Sequence, residues 1–426
     1  MSQRIPRLTI AALAVAACAA LGAGAATASA STLYVSNSAP PVVGGKSCAQ
    51  PNYSAIQAAI TAGGAGAVIK ICPGTYTEQL EITNSVTLTA ASGVGTATIA
   101  MPQAPAYSGT SCDILAHPEQ IDEISICTSG TVTINNLNVQ ALFPNATCAG
   151  ELYGIFVGEG GTLKATGDTV DGASTTLPAL KGCQTGVAIE IGNKTPAEVG
   201  HAVLKNLTIY GYQKNGPTVK SPGSTMTITG STITGEGPSP DIAQNGIEVA
   251  YGAKGVVNTS SISGNECNVP VCAVNNEEQA SGVLFYQSAS GSNVTSSTIT
   301  NNDIGAYYGS GSATVPAMPA FTLSKDGLTN NRYEGVVLEE GKASLKNDVI
   351  NGTGKVGIDL VQLASQLSAL NSSATSTKVE GQETAIKVES DKSALDIPGK
   401  FTFATGTLSG NGTILVNESN NFEVIF

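Results

Sequence analysis

The sequence predicts an all-β solenoid, a right-handed parallel β-helix of about a dozen coils with a short N-terminal capping helix. Three observations predict it. The first is a phrase in which a glycine leads alternating apolar residues. It reads Gly154-Ile155-Phe156-Val157, Gly186-Val187-Ala188-Ile189, Gly246-Ile247-Glu248-Val249, Gly282-Val283-Leu284-Phe285, Gly335-Val336-Val337-Leu338 and Gly357-Ile358-Asp359-Leu360, with looser copies at Gly216 and Gly305. The second is a phrase midway through each repeat that ends in a turn residue. Gly172, Gly211, Gly235, Gly264, Asn301, Asn330 and Gly352 fill that column, and Gly and Asn are the residues that most readily accept positive φ. The third is uneven spacing. The glycines fall 22 to 36 residues apart, which suits a right-handed coil and not the strict hexapeptide period of the left-handed form.

Alternation with period two puts one side of each strand inward. Composition agrees. The chain has 426 residues, 49 of them Gly and none Trp, with 41% hydrophobic and 12% charged residues. That is ample for a core and excludes wholesale disorder. A net charge of −12, with Arg332 as the one arginine after the leader, excludes a nucleic-acid binder, which needs clustered Lys and Arg. No basic amphipathic helix for a membrane surface is visible, and no stretch after the leader has the roughly 20 apolar residues of a membrane span.

Residues 1–30 read as an export signal. Arg4 and Arg7 precede the apolar run Leu8 to Ala17, and cleavage is expected after Ala30. A secreted protein follows. The competing reading takes Val15-Ala16-Ala17-Cys18 as a lipoprotein box, with Cys18 acylated. Eight cysteines remain, an even number in an oxidising setting. Cys267 and Cys272 are spaced to close one small loop, and Cys48 and Cys72 flank the helix candidate. Cys112 with Cys127, and Cys148 with Cys183, are the natural remaining pairs, although spacing alone leaves the connectivity open. Zinc is a weak alternative without a Cys-x-x-Cys and with His117 and His201 isolated.

The expected order is an N-terminal cap and first coils over 31–90, the β-helix proper over 91–360, and degenerate C-terminal coils with a cap over 361–426. Tyr53 to Ala62 is the capping helix, stopped at Gly63-Gly64. Such a cap covers strand edges that would otherwise invite association. Val68–Cys72, Thr75–Ile82 and Val86–Leu88 read as strands, with Pro73-Gly74 a turn. Val132–Val139 is a further copy of the second phrase. The pattern weakens after Leu360, returns at Ala385–Val388 and echoes at Gly412–Leu415.

The opening stretch, with Ile56-Gln57-Ala58-Ala59-Ile60 and Cys72-Pro73-Gly74-Thr75-Tyr76, resembles secreted right-handed parallel β-helix proteins of the pectin-lyase-like superfamily. Tyr212 to Gly216 and Ala243 to Ile247 resemble its uncharacterised secreted bacterial members. The resemblance spans roughly residues 33 to 360 and implies the fold. It does not select an activity, because that superfamily includes lyases, hydrolases, esterases, epimerases and adhesins.

Candidate chemistry lies at the outward third and fifth places of the glycine-led phrase. These places, with the loops entering the same face, offer Glu190, Lys220, Asp241, Gln244, Asn245, Glu248, Tyr286 and Tyr307 as ligand-binding residues. Lys214, Glu277 and Glu278 enter from loops. Aromatic faces suit sugar C–H surfaces and carboxylates suit hydroxyls or cations. The outward column is read as Glu190, then Lys220, then Glu248, so the structural alternative is an ordinary cross-strand pair between Glu190 and Lys220.

A glycosidase pair is disfavoured. Glu190 and Glu248, read as offset by two residues, would stand ~12 Å apart by strand spacing, beyond the 5–9.5 Å such pairs need. The polygalacturonase-like motif set is absent. A lyase implied by the resemblance would use Lys220 or Lys214 as base and Glu190, Asp241 and Glu248 to hold Ca²⁺. The favoured reading is a protein that binds polysaccharide or cell-envelope glycan at the cell surface or matrix, without catalysis or cofactor. The alternative is a Ca²⁺-dependent lyase or epimerase of acidic polysaccharide.

Overall fold

The computed structural model describes residues 31–426, except 93–94, 105–111, 113–119, 145–146, 195–197, 269–271, 273–279, 310–320, 340–341, 353, 363–370, 391–398 and 420. The leader with Cys18, His117, Glu277 and Glu278 lie outside the described residues. The chain winds as a right-handed parallel β-helix through three sheets. Sheet 1 holds 14 strands, from Thr32–Val35 to Phe422–Ile425. Sheets 2 and 3 hold 12 each, from Gly74–Thr77 to Thr407–Ser409 and from Leu80–Ile82 to Thr413–Asn417. From Val68–Ile71 onward the coils visit the sheets in that order, and neighbours pair in parallel.

The helix runs over Ile56–Gly63 and buries Ile56, Ala59 and Ile60 against the first coils. No side chain of its own residues caps it. Instead the Glu78 carboxylate accepts the amides of Ile56 (2.8 Å) and Gln57 (3.0 Å), which satisfies orphan donors and suits the helix dipole. Gly64, at φ +64°, ends it.

Two expected strands divide. Thr75–Ile82 becomes Gly74–Thr77 on sheet 2 and Leu80–Ile82 on sheet 3. Val132–Val139 becomes Thr131–Asn135 and Asn138–Phe143, with Asn136 at φ +55° between them. The winding continues to the C-terminal end: Thr384–Ser390 and Thr413–Asn417 are ordinary members of sheet 3.

Both phrases have steric causes. A Cβ at Gly282 would lie 2.5 Å from Ile299 Cγ2 and 2.8 Å from the Gly305 carbonyl oxygen. Gly216, Gly246, Gly305 and Gly335 face the same pair of obstacles, the apolar residue of the following coil's second phrase and the next carbonyl. The first glycine therefore makes room for the second phrase. In the turn column, Gly172, Gly211, Gly264, Asn301, Asn330 and Gly352 have positive φ. Gly235 keeps ordinary φ, so that position departs from the expectation.

A second left-handed column separates sheets 1 and 2, with Asn206, Thr259, Ser296 and Lys325 among its members. Buried side chains brace it from coil to coil. Ser260 accepts the amide of Ser231, Ser297 that of Ser260, Asp326 that of Ser297 and Asp348 that of Asp326. Asp168 belongs to the same series, accepting the amide of Leu137 on the preceding coil (2.8 Å) and, within its own turn, that of Thr166 (2.9 Å). Four disulfides join the natural pairs: Cys48–Cys72, Cys112–Cys127, Cys148–Cys183 and Cys267–Cys272.

Candidate functional site

Sheet 3 turns one face outward. Its register stacks Phe156, Glu190, Thr218, Glu248, Leu284 and Tyr307 in one column. Two expectations change. Thr218, not Lys220, sits between the two glutamates, and Lys220 lies one residue beyond the strand Asn215–Val219. Glu190 and Glu248 carry no offset, so their backbones stand about 9.6 Å apart, two strand spacings. The slip arises at Gly186. That glycine, at φ +94°, precedes the strand, and Ala188 takes the stacked slot over Gly154.

Beside this column lies a cleft of about 440 Å³. Its walls come from three places: the segment Cys148–Glu151 with Tyr153, the turn at Gln184–Val187, and Asn193–Lys194. Its floor and far rim are Lys214, Asn215, Lys220, Glu248 and Tyr251. The Cys148–Cys183 disulfide ties two of these walls, and the Leu152 amide bonds Thr185 Oγ1 (2.9 Å) between them.

The polar groups are held in place. Glu190 is fully buried, and the Lys220 ammonium stands 3.1 Å from its Oε1. Burial pushes the Glu190 carboxyl up, against the pull of the Lys220 ammonium beside it. Burial also disfavours the charge on Lys220, but Glu190 and then Glu248 more than offset it, so this ammonium sits above the ordinary lysine value. Asn215 Nδ2 donates to Glu248 Oε2 (2.5 Å), Asn245 Nδ2 to Asn215 Oδ1 (3.0 Å), and Ser281 Oγ to Asn245 Oδ1 (2.7 Å). This one-way chain orients Glu248. Tyr153 Oη and Asn193 Nδ2 both donate to Glu151 Oε2. Behind them Asp122, bonded by Ser125 and Gln120, is raised to about 7 by burial.

At the rim the Tyr286 ring meets Tyr251 edge-on, with centroids 5.4 Å apart. Lys194 Nζ lies 4.0 Å over the Tyr251 ring centre, a cation–π contact. Burial, then Glu248, raises the Tyr251 hydroxyl.

The expected site residues divide accordingly. Lys214, Lys220 and Glu248 line the cleft, Glu190 lies beneath Lys220, and Asn245 braces Asn215. Gln244 is structural: it is fully buried, accepts the Glu236 amide and donates to the carbonyls of Tyr212 and Gln213. Asp241 is exposed on a loop and outside the cleft lining. Tyr307 bonds Glu339 further along the face.

Glu190, Asp241 and Glu248 therefore do not fit one Ca²⁺. The first is covered by an ammonium and the second is elsewhere. Among the described residues, no three His, Cys, Asp or Glu side chains group to hold a metal ion. Nor are the lysines placed as bases, since Lys220 is held protonated and Lys214 donates to the Ala243 carbonyl (2.8 Å). Sequence reasoning missed Glu151, Tyr153, Asn193, Lys194, Asn215 and Tyr251. Most belong to turns or strand ends, where the repeat carries no signal.

Comparison with known proteins agrees with the winding. Residues 197–374 match the family described as the right-handed β-helix region. No curated protein sequence matches the chain. Among solved structures, a periplasmic alginate epimerase is 12% identical with a TM-score of 0.52, over 84% of this chain and 76% of that one. The catalytic domain of a GH87 α-1,3-glucanase, in complex with nigerose, is 13% identical with a TM-score of 0.54, over 91% and 67%. Both act on polysaccharides, and at this identity the likeness is one of fold. Among the described residues no helix is long and apolar enough to cross a membrane.

Proposed function

We propose that this protein binds polysaccharide in the sheet 3 cleft, outside the cytoplasm, at a cell surface or in a matrix, and does so without catalysis. One observation carries the reading. The cleft is concave and its polar groups are already oriented: carboxylates at Glu151 and Glu248, amides at Asn193 and Asn215, and a tyrosine at the rim. Preorganised donors and acceptors beside an aromatic face are what sugar hydroxyls and C–H surfaces require. Four disulfides support an oxidising compartment. The fold-mates that act on alginate and on α-1,3-glucan support the ligand class by analogy.

The calcium-assisted elimination has less support, because neither the cation seat nor the basic lysine comes together. Titration of the protein with a panel of soluble polysaccharides, followed by calorimetry with and without Ca²⁺, tests the proposal. Saturable binding to at least one polymer, lost in Glu248→Ala, is expected. Binding unchanged in Glu248→Ala would move the site elsewhere, and ultraviolet-absorbing unsaturated products would replace the binding reading with the lyase.

A further inference from the structure

We propose that the cleft takes an acidic sugar, stacking the ring on Tyr251 and receiving its carboxylate between Lys194 and Lys220. The inference rests on the polysaccharide reading and names the chemical class of the ligand.

Charge is distributed against the trend of the chain. The protein has 20 Lys and Arg in 426 residues and a net charge of −12. Three of the 15 residues lining the cleft are lysines, Lys194, Lys214 and Lys220, against two carboxylates, Glu151 and Glu248. With Glu190 paired beneath Lys220, three lysines meet three carboxylates, so the cleft is balanced in charge on a strongly negative molecule. An anionic ligand meets less repulsion there than over the rest of the surface.

The carboxylates of the wall are already engaged by donors from Tyr153, Asn193 and Asn215. This leaves acceptor capacity for hydroxyls. Lys220 has a different support. Its counter-charge, Glu190, is wholly inside the protein, and neither carboxylate oxygen takes a hydrogen bond with good geometry. Burying a carboxyl there is costly unless it is compensated. What the arrangement achieves is an ammonium fixed in position and kept charged, with one face still in the cleft, where its side chain is 19% exposed.

Lys194 completes the seat. It is exposed, and it rests on the face of Tyr251, the face a sugar ring would use. A neutral sugar displacing Lys194 would lose the cation–π contact. A uronate would replace it with an ion pair to the same ammonium, so the geometry favours the acidic ligand over its neutral isostere.

The experiment uses the mature chain and two probes, an oligogalacturonate and its carboxyl-reduced neutral counterpart of equal length. Calorimetry at 50 and at 500 mM salt reads both. The acidic oligomer should bind at least tenfold tighter at low salt, with the difference shrinking at high salt. Lys194→Gln, an exposed change, should remove most of that difference. Lys220→Gln alone would strand Glu190, so the paired Lys220→Gln with Glu190→Gln is the informative variant. It should remove the difference while leaving the circular dichroism spectrum intact. Tyr251→Phe should bind both probes as the parent does, and Tyr251→Ala should weaken both.

Equal affinity for the two probes would overturn the acidic class and leave polysaccharide binding standing. Acidic preference that survives Lys194→Gln and the paired variant would overturn the seat. Absence of binding to any glycan would overturn both readings.

Discussion

Glu123 sits inside the β-helix with no partner, and this predicts an inverted pH dependence of stability. Its neighbours in register place it opposite Gly154 of the next coil, in the inward slot that glycine usually takes. It is fully buried, and neither carboxylate oxygen has a hydrogen-bond partner. Burial, and then the charge of Glu78 at the helix N-terminus, raise it from 4.5 to about 9. A carboxyl raised on folding binds its proton more tightly in the native state. Stability is then full below pH 4.5 and is lost as pH rises towards 9.

Each pH unit in that window is worth about 1.4 kcal/mol, so Glu123 should withdraw on the order of 3 kcal/mol by pH 7. Glu123→Gln removes the titration. Native-state hydrogen exchange of the Ile124 and Ile126 amides, compared at pH 4.5 and 7, reads the local opening energy. The variant's opening energy relative to the parent should rise by about 3 kcal/mol between the two pH values. An offset that is the same at both pH values would refute the reasoning. So would a variant that opens more easily at pH 7 than at pH 4.5.

Three further outcomes follow from packing. Gly282→Ala places a methyl against Ile299 and the Gly305 carbonyl, and should cost about 1–3 kcal/mol by overpacking; a change in urea midpoint too small to resolve would show that the coils relax. Arg332→Ala removes the guanidinium 2.6 Å from buried Asp303, whose other oxygen holds the amides of Cys267 and Ala280. Because Arg332 is about one-third exposed, roughly 2 kcal/mol is expected, seen as faster exchange in Ser261–Cys267 and Ser281–Tyr286. Cys148→Ser with Cys183→Ser should weaken glycan binding several-fold while leaving strand exchange on sheet 1 unchanged, because that disulfide joins two cleft walls; equal affinity would mean the walls are held without it.

What the sequence made legible is what every coil must repeat. Gly282 and Ile299 are visible together because one makes room for the other, and that demand recurs at Gly216, Gly246, Gly305 and Gly335, where sheets 2 and 3 meet. The Gly and Asn column is visible because positive φ restricts residue choice. The left-handed column between sheets 1 and 2 hides for the opposite reason. Thr259, Ser296 and Lys325 tolerate the same backbone there, and the bracing comes from Ser260, Ser297 and Asp326 in other coils. No single-residue preference remains to be read.

The site depends on departures from the repeat. Gly186 looks like one more copy of the phrase, yet it lies before its strand, and the slot belongs to Ala188. Taking it at face value sets Glu190 two residues out of step and assigns Lys220 to a place that Thr218 holds. The same irregularity has a consequence for function. With Glu190 in step, Lys220 passes beyond its strand end and reaches back over a carboxyl it shields from solvent. Glu190 stands opposite Thr218 and beneath Lys220 because the coil at Gly186 breaks register with the phrase it imitates.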